Sequence, residues 1–273
     1  MPFASRGGFL AQPAAVSGGR REGAASTNTG MTWGANSGST TSTTYAKYGS
    51  SSYYTSTNST EIYTPNNPSF MNYGTGDFCI EWYMYIPTLA GHSASCDLTS
   101  QNVTQGFGYR LGRRYNNSGL GSGASAKYIN IFARGYADLE YWDISTGSSG
   151  DATWQTGKWY FCVMQRKNAN MSFFLDGVLK PVAGINHASL TGDTFNFASS
   201  TAGTNVNWGT ADGGNGAGPI YTDEVCFSNT WRYDDTGDIT TLPSAAFTVD
   251  EYTDMLLHME GSNGGTSFTN DQG

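Results

Sequence analysis

The sequence predicts an all-β fold, an antiparallel sandwich, and three observations carry that prediction. The first is the stretch Asp77–Ile86, which has no glycine or proline and strong β-formers at most positions. It alternates with period two, placing Phe78, Ile80, Trp82, Met84 and Ile86 on a core face and Cys79, Glu81, Tyr83 and Tyr85 on the other. The second is Asp176-Gly177 between apolar runs, a hairpin signal because a type I′ turn needs positive φ at both central positions. The third is the recurrence of strand-like segments at short intervals, with no amphipathic helix of useful length between them.

Taken in order, Tyr45–Gly49, Ser52–Tyr54 and Glu61–Tyr63 begin the regular structure, and Pro65-Asn66-Asn67-Pro68 reads as a turn. Gly74-Thr75-Gly76 leads into the central strand. Gly106–Gly112, Tyr128–Ala133 and Leu139–Ile144 follow as further strands. Trp159–Arg166 is the second long strand, Lys167–Asn170 turns the chain, and Met171–Leu175 runs back to the Asp176-Gly177 hairpin. A closing strand is expected around Val225, and an apolar one at Met255–Met259.

Composition narrows the function. Only 13 % of the 273 residues are charged, with 36 glycines and 17 tyrosines, so the surface is built from hydroxyls and amides. A net charge of −8 argues against nucleic acid as a partner, since phosphate recognition needs a basic face. No apolar run of about 18 residues exists for a transmembrane helix, so no membrane insertion is expected. The N-terminus shows no apolar signal-peptide core.

Cys79, Cys96, Cys162 and Cys226 lack metal-ligand spacing. They read as buried free thiols, with a Cys79–Cys226 bridge between neighbouring strands as the alternative. The histidines, His92, His187 and His258, share no motif, and His258, in an apolar strand, reads as structural. Gly213–Gly218 is glycine-rich but leads into neither a helix nor a lysine, so phosphate binding is unsupported.

Four segments together resemble the laminin G-like, concanavalin A-like lectin family. Asn72–Tyr83 looks like that family's GTGDFTIEFW strand, Gly157–Val163 like its KWYHVA strand, Phe174–Gly177 like its LYLDG hairpin, and Thr222–Thr230 like its IDEVRISNT strand. Phe247–Asp250 followed by Leu256–Gly261 resembles units of bacteriophage virion proteins, especially those of marine phages. The resemblance implies a two-sheet jelly-roll sandwich, often a glycan-binding or adhesive module. Met255–Gly261 with Thr266–Asp271 resembles a strand that commonly opens such a unit but here comes last, so the domain reads as permuted. That strand is expected to complete its own sandwich rather than a neighbour's sheet.

Glycanases of this fold class carry an E-x-D-x-x-E pattern that sets two carboxylates on one face. The nearest run here, Asp138–Asp143, has its carboxylates in another order, so an enzyme is not expected. Sugar sites on sandwiches combine a ring for stacking with Asp or Asn for the hydroxyls. Trp142 with Asp143, and Trp208 with Asp212, have that composition; the alternative is that both tryptophans cap the core. No cofactor is expected. Were calcium bound, as in some relatives, Asp212 and Asp223 would be the first candidates.

Residues 1–44 read as an extended N-terminal assembly arm, residues 45–245 as the sandwich and residues 246–273 as its closing strand and tail. Met1–Gly30 is rich in Gly, Ala and Ser and buries too little surface alone to offset its ordering entropy. The arm is expected to lie on a partner subunit, with Phe9 and Leu10 in a groove and Arg6, Arg20 and Arg21 on acidic surface; the alternative is that it folds back on its own domain. The functional expectation is a non-enzymatic virion protein assembled in the host cytoplasm. It would be a homo-oligomer bound to capsid or tail proteins through the arm, with the sandwich facing host glycans. A secreted carbohydrate-binding module and a glucanase-type enzyme are the alternatives. On this reading, removing residues 1–30 leaves a folded sandwich that no longer joins particles.

Overall fold

The computed structural model describes residues 19–23, 32–36, 38–55, 61–64, 73, 76–87, 155–180 and 219–269, together with strands at 95–100, 106–111, 114–116, 119–121, 129–134, 139–144, 183–184 and 206–209. The fold is an all-β sandwich of antiparallel sheets, and no helix occurs among the described residues. One sheet has nine strands. In spatial order these are β15 (Ala183–Gly184), β11 (Leu139–Ile144), β10 (Ile129–Arg134), β7 (Gly106–Leu111), β6 (Ser95–Ser100), β16 (Val206–Gly209), β4 (Glu61–Tyr63), β1 (Thr32–Ala35) and β19 (Phe268–Thr269). The other has eight, running β14 (Val178–Leu179), β13 (Asn170–Leu175), β12 (Trp159–Lys167), β5 (Phe78–Tyr85), β17 (Ile220–Ser228), β3 (Ser52–Thr55) and β2 (Thr40–Ser42), with β18 (Thr253–Leu257) also paired to β17. A separate hairpin joins β8 (Arg114–Asn116) to β9 (Gly119–Gly121).

The core lies between the two sheets. Phe78, Ile80, Trp82, Met84 and Ile86 all enter it, as the period-two pattern predicts, and meet Trp33, Ile62, Trp208 and Phe268 from the opposite sheet. Both hairpin turns form with positive φ at their two central residues, Asn168 (51°) with Ala169 (63°) and Asp176 (51°) with Gly177 (79°). Cys79, Cys162 and Cys226 are free, buried thiols. β5 and β17 are neighbours, but Cys79 faces Ser228 and Cys226 faces Glu81, so the two thiols are offset along the sheet.

The closing strand pairs within its own chain. β17 is flanked by β5 on one side, while β3 and β18 share its other edge end to end. β1 and β2, from the stretch read as part of the arm, are strands of the two sheets, and β1 pairs with β19. At four and three residues, Thr-Trp-Gly-Ala and Thr-Thr-Ser are too short to show the apolar alternation that reveals a strand, although Trp33 and Thr41 are buried.

A bulge in β17 reconciles its two halves. Ile220 points into the core, and so do Val225 and Phe227, so the inward parity changes between them. Asp223 and Cys226 face Tyr83 and Glu81, which leaves one extra residue on β17, and Glu224 takes up the kink with φ 54°. The buried carboxylates at the bulge serve as caps. Asp223 accepts from the backbone N–H groups of Lys47 (2.7 Å), Tyr48 (3.2 Å) and Glu224 (2.9 Å). Glu224 accepts from the Phe247 N–H (2.6 Å) and meets His258 Nδ1 at 2.7 Å, which makes His258 a partnered, structural histidine.

Burial pushes the Asp223 carboxyl up to about 8, against the amides that lower it. In the unfolded chain such a group titrates near ~3.9. The folded protein therefore keeps the proton longer, so this contribution to stability is complete below about pH 4 and is lost as pH rises through about 8. Asp254, raised by burial to about 6, acts in the same direction over a narrower window. The melting temperature should fall between about pH 5 and about pH 9, and Asp223→Asn should flatten that slope; thermal melts across the range check both. Ala169, held in the left-handed region, should become more stable as glycine by about 0.5–1 kcal/mol, measured by chemical denaturation of Ala169→Gly.

Candidate functional site

The outer face of β5 alternates polar and aromatic residues, as a solvent-facing sheet surface does. Most of it is buried. The irregular segment 229–252 lies across it, anchored by Tyr233, Ile239 and Phe247, which form a second core with Cys79, Tyr83, Phe161, Val163, Phe174, Cys226 and Leu256. Gln165 fastens this cover to β12. Its Nε2 donates to the Tyr233 carbonyl (2.8 Å) and its Oε1 accepts from the N–H groups of Arg232 (3.2 Å) and Tyr233 (3.1 Å).

Glu81 sits under the cover with 0 % exposure. A carboxylate there needs a charge partner. Arg20 supplies it: Nε donates to both Glu81 oxygens at 3.0 Å, and the Tyr233 hydroxyl donates to Oε1 at 2.6 Å. Arg20 also reaches Glu22 (2.7 Å) and lies over the Phe247 ring. Beside it, Arg232 makes a forked pair with Asp250 (2.5 and 2.6 Å) and donates to Ser228 Oγ (2.8 Å) and the Arg21 carbonyl (2.9 Å). Burial alone would raise the Asp250 carboxyl, but the hydrogen bonds and charge of Arg232, with the Gly23 N–H and Thr253 hydroxyl, hold it well below the usual carboxylate range. Arg21 donates to Thr230 Oγ1 (3.0 Å) and lies against the rings of Trp231 and Tyr252.

These contacts correct the expectation for two arm residues. Arg20 and Arg21 bind their own chain, because Glu81 and the polar edge of the cover lie within the same domain. Arg6, Phe9 and Leu10 lie outside the described residues. Trp208 also moves: it is fully buried, edge-on to Trp82 (centroids 5.8 Å apart) and Phe227 (6.2 Å), and serves the core rather than a ligand. Trp142 and Asp143 belong to β11, opposite Ile131 and Asn130 on one side and Gly184 and Ala183 on the other. Their side chains, and Asp212, are outside the described residues. Asp223 spends its oxygens on backbone amides. Among the described residues, no group of three or more His, Cys, Asp and Glu side chains is arranged to hold a metal.

The cover leaves one end of the outer face open, and aromatic residues are gathered there. Tyr54 on β3, Tyr221 on β17, Tyr85 on β5 and Trp159 on β12 stand directly opposite one another in register across four adjacent strands. Successive ring centroids are 4.7, 6.1 and 5.5 Å apart. Tyr45, from the loop before β3, stacks on Tyr85 at 4.3 Å and meets Tyr221 edge-on at 4.9 Å. Tyr221 is buried beneath its neighbours, while Tyr45, Tyr54, Tyr85 and Trp159 are half-buried. The phenol of Tyr85 is raised by desolvation and by its hydrogen bond with Tyr45. Lys47 and Lys158 flank the row, the first over the Tyr83 ring at 4.9 Å and the second bound to Asp176 at 2.6 Å. A row of half-open rings bordered by cations and hydroxyls is suited to hold a flat, hydroxylated ligand by stacking.

In fold the chain is an all-β sandwich of antiparallel sheets. The binding domain of Paraclostridial Mosquitocidal Protein 1 is similar to it, with a TM-score of 0.51 and 13 % identity over 76 % of this chain and 45 % of that one. The botulinum neurotoxin serotype D binding domain (TM-score 0.46, 12 % identity, 74 % of this chain and 43 % of that one) is more distant in backbone. So is the receptor binding domain of the botulinum neurotoxin C/D mosaic serotype (TM-score 0.47, 10 % identity, 80 % and 49 %). At such identities the likeness concerns the fold alone, and the chain spans less than half the length of each of these structures. No family model matches the sequence, and no curated protein does.

The buried Arg20–Glu81 pair gives a direct test. Arg20→Met should cost about 3–5 kcal/mol, because Glu81 then stays buried without its cation. Adding Glu81→Gln should recover part of that loss. Removal of residues 1–30 should cost more than Arg20→Met, because it also strips the Arg21 carbonyl from Arg232 and the Gly23 N–H from Asp250. Urea denaturation of these variants reads all the outcomes, and an Arg20→Met change within about 0.5 kcal/mol of wild type would contradict the assignment.

Proposed function

We propose that this chain is a non-enzymatic binding domain that takes a glycan on the Tyr54–Tyr221–Tyr85–Trp159 row, and that it is displayed on a bacteriophage particle. The observation that carries the glycan reading is the row itself. Sugar rings present C–H faces that stack on aromatic surfaces, and the half-open rings of Tyr54, Tyr85 and Trp159, with Tyr221 beneath them, offer such a surface on a rigid sheet without loop ordering. The carboxylates next to it are committed elsewhere: Asp223 to three backbone amides, Asp176 to Lys158 and the Phe161 N–H. That favours holding a saccharide over cleaving one.

The particle assignment is supported by the resemblance of Phe247–Asp250 and Leu256–Gly261 to phage virion units. A secreted carbohydrate-binding module would use the same row. Mass spectrometry of purified particles separates the two, since a virion protein co-purifies with them at fixed stoichiometry.

For the binding itself, a glycan array probed with the purified chain should give saturable signals. Trp159→Ala and Tyr85→Ala should each weaken them by about tenfold, ~1.4 kcal/mol, without lowering the melting temperature by more than a few degrees. Trp142→Ala tests the β11 position chosen from composition. A blank array would leave the chain a structural role only.

A further inference from the structure

We infer that the glycan is an anionic one, whose carboxylate or sulfate pairs with Lys47. This rests on the proposal that the aromatic row binds saccharide, and adds to it the charge class of the ligand.

The inference starts from how the cations of this acidic chain are spent. Arg20 pairs with Glu81, Arg232 with Asp250, Lys158 with Asp176, and Lys167 with Asp234 and Asp235. Arg166 donates to the Gly76 carbonyl. Lys47 is different. Its ammonium makes no ion pair among the described residues and rests over the faces of Tyr48 (5.4 Å) and Tyr83 (4.9 Å). A ring face attracts a cation without neutralising it, so the charge remains available to a ligand.

Its position is fixed. The Lys47 N–H donates to buried Asp223 at 2.7 Å, and Tyr48, the next residue, is tied by its N–H to the same carboxylate and by its hydroxyl to the Pro243 carbonyl (2.9 Å). The loop that holds Lys47 also carries Tyr45, which stacks on Tyr85. Tyr83, beneath the ammonium, lies on the same strand face as Tyr85, one side-chain step away. The cation therefore stands at the margin of the row, within reach of a substituent on a sugar stacked there.

The sign of the whole chain makes this placement informative. At a net charge of −8 the long-range field repels anions, so an anionic ligand needs a local, unpaired cation. A neutral saccharide would gain nothing from one.

The test compares uronic-acid and sialic-acid glycans with their carboxyl-reduced counterparts, and sulfated glycans with their desulfated forms. Wild-type protein and Lys47→Gln are assayed by titration at two salt concentrations. The expected result is at least a fivefold preference of wild type for the anionic member of a pair, reduced by added salt. Lys47→Gln should abolish that preference, and the pair that shows the effect identifies the group as carboxylate or sulfate. Equal affinity for both members, or a preference that survives in Lys47→Gln, would overturn the charge assignment while leaving the row as a saccharide site. Failure of every glycan to bind would instead remove the saccharide reading and this inference with it. Lys47→Met serves as a second variant, since it keeps the aliphatic stem over Tyr83.

Discussion

The structure depends on one buried charge pair. Glu81 lies in the middle of β5, which is buried on both faces, one by the opposite sheet and the other by the segment 229–252. A carboxylate in that position destabilises the fold unless it is compensated, and the compensation comes from Arg20, 61 residues earlier in the chain. The Tyr233 hydroxyl completes the shell from the cover itself. The strand, the segment 19–23 and the cover are thus one unit, and none of them is an accessory to a sandwich already complete without it.

The core was legible in the sequence wherever local pattern suffices. The inward face of β5, the Asp176-Gly177 turn and the buried thiols follow from period, turn chemistry and residue type. The outward face of β5 was not legible, because Glu81 and Tyr83 alternate with apolar residues as solvent-facing positions do. Nothing local reports that a later segment will cover them. That segment has no period of its own and is held by scattered anchors, Tyr233, Ile239 and Phe247, together with the Gln165 clamp. Long-range pairing is what sequence pattern does not encode.

The same reason explains the candidate site. Trp208 has the composition of a sugar platform, yet β16 sits in the interior of its sheet and the indole points to Trp82. The aromatic row draws on Tyr54, Tyr85, Trp159 and Tyr221, spread over 167 positions of chain from Tyr54 to Tyr221. Each is an ordinary strand tyrosine or tryptophan by itself. Only the register of four strands makes them neighbours, and the β17 bulge, which lies beyond Tyr221, leaves that register intact. One signal was present: the run of tyrosines at 45, 48, 53 and 54 is dense for a stretch rich in Ser, Thr and Gly.

The pairing of β1 with β19, and the sharing of one β17 edge by β3 and β18, has a consequence for how the protein is made. Strands drawn from residues 32–55 have partners at 220–222 and 268–269, so most of the chain must be synthesised before either sheet can close. Until those partners emerge, the nascent polypeptide carries unpaired strand edges. Folding is then dominated by contacts distant in sequence, which makes it slow. The low charge and many hydroxyls of the early strands suit that wait, since Ser- and Thr-rich edges aggregate less readily than apolar ones.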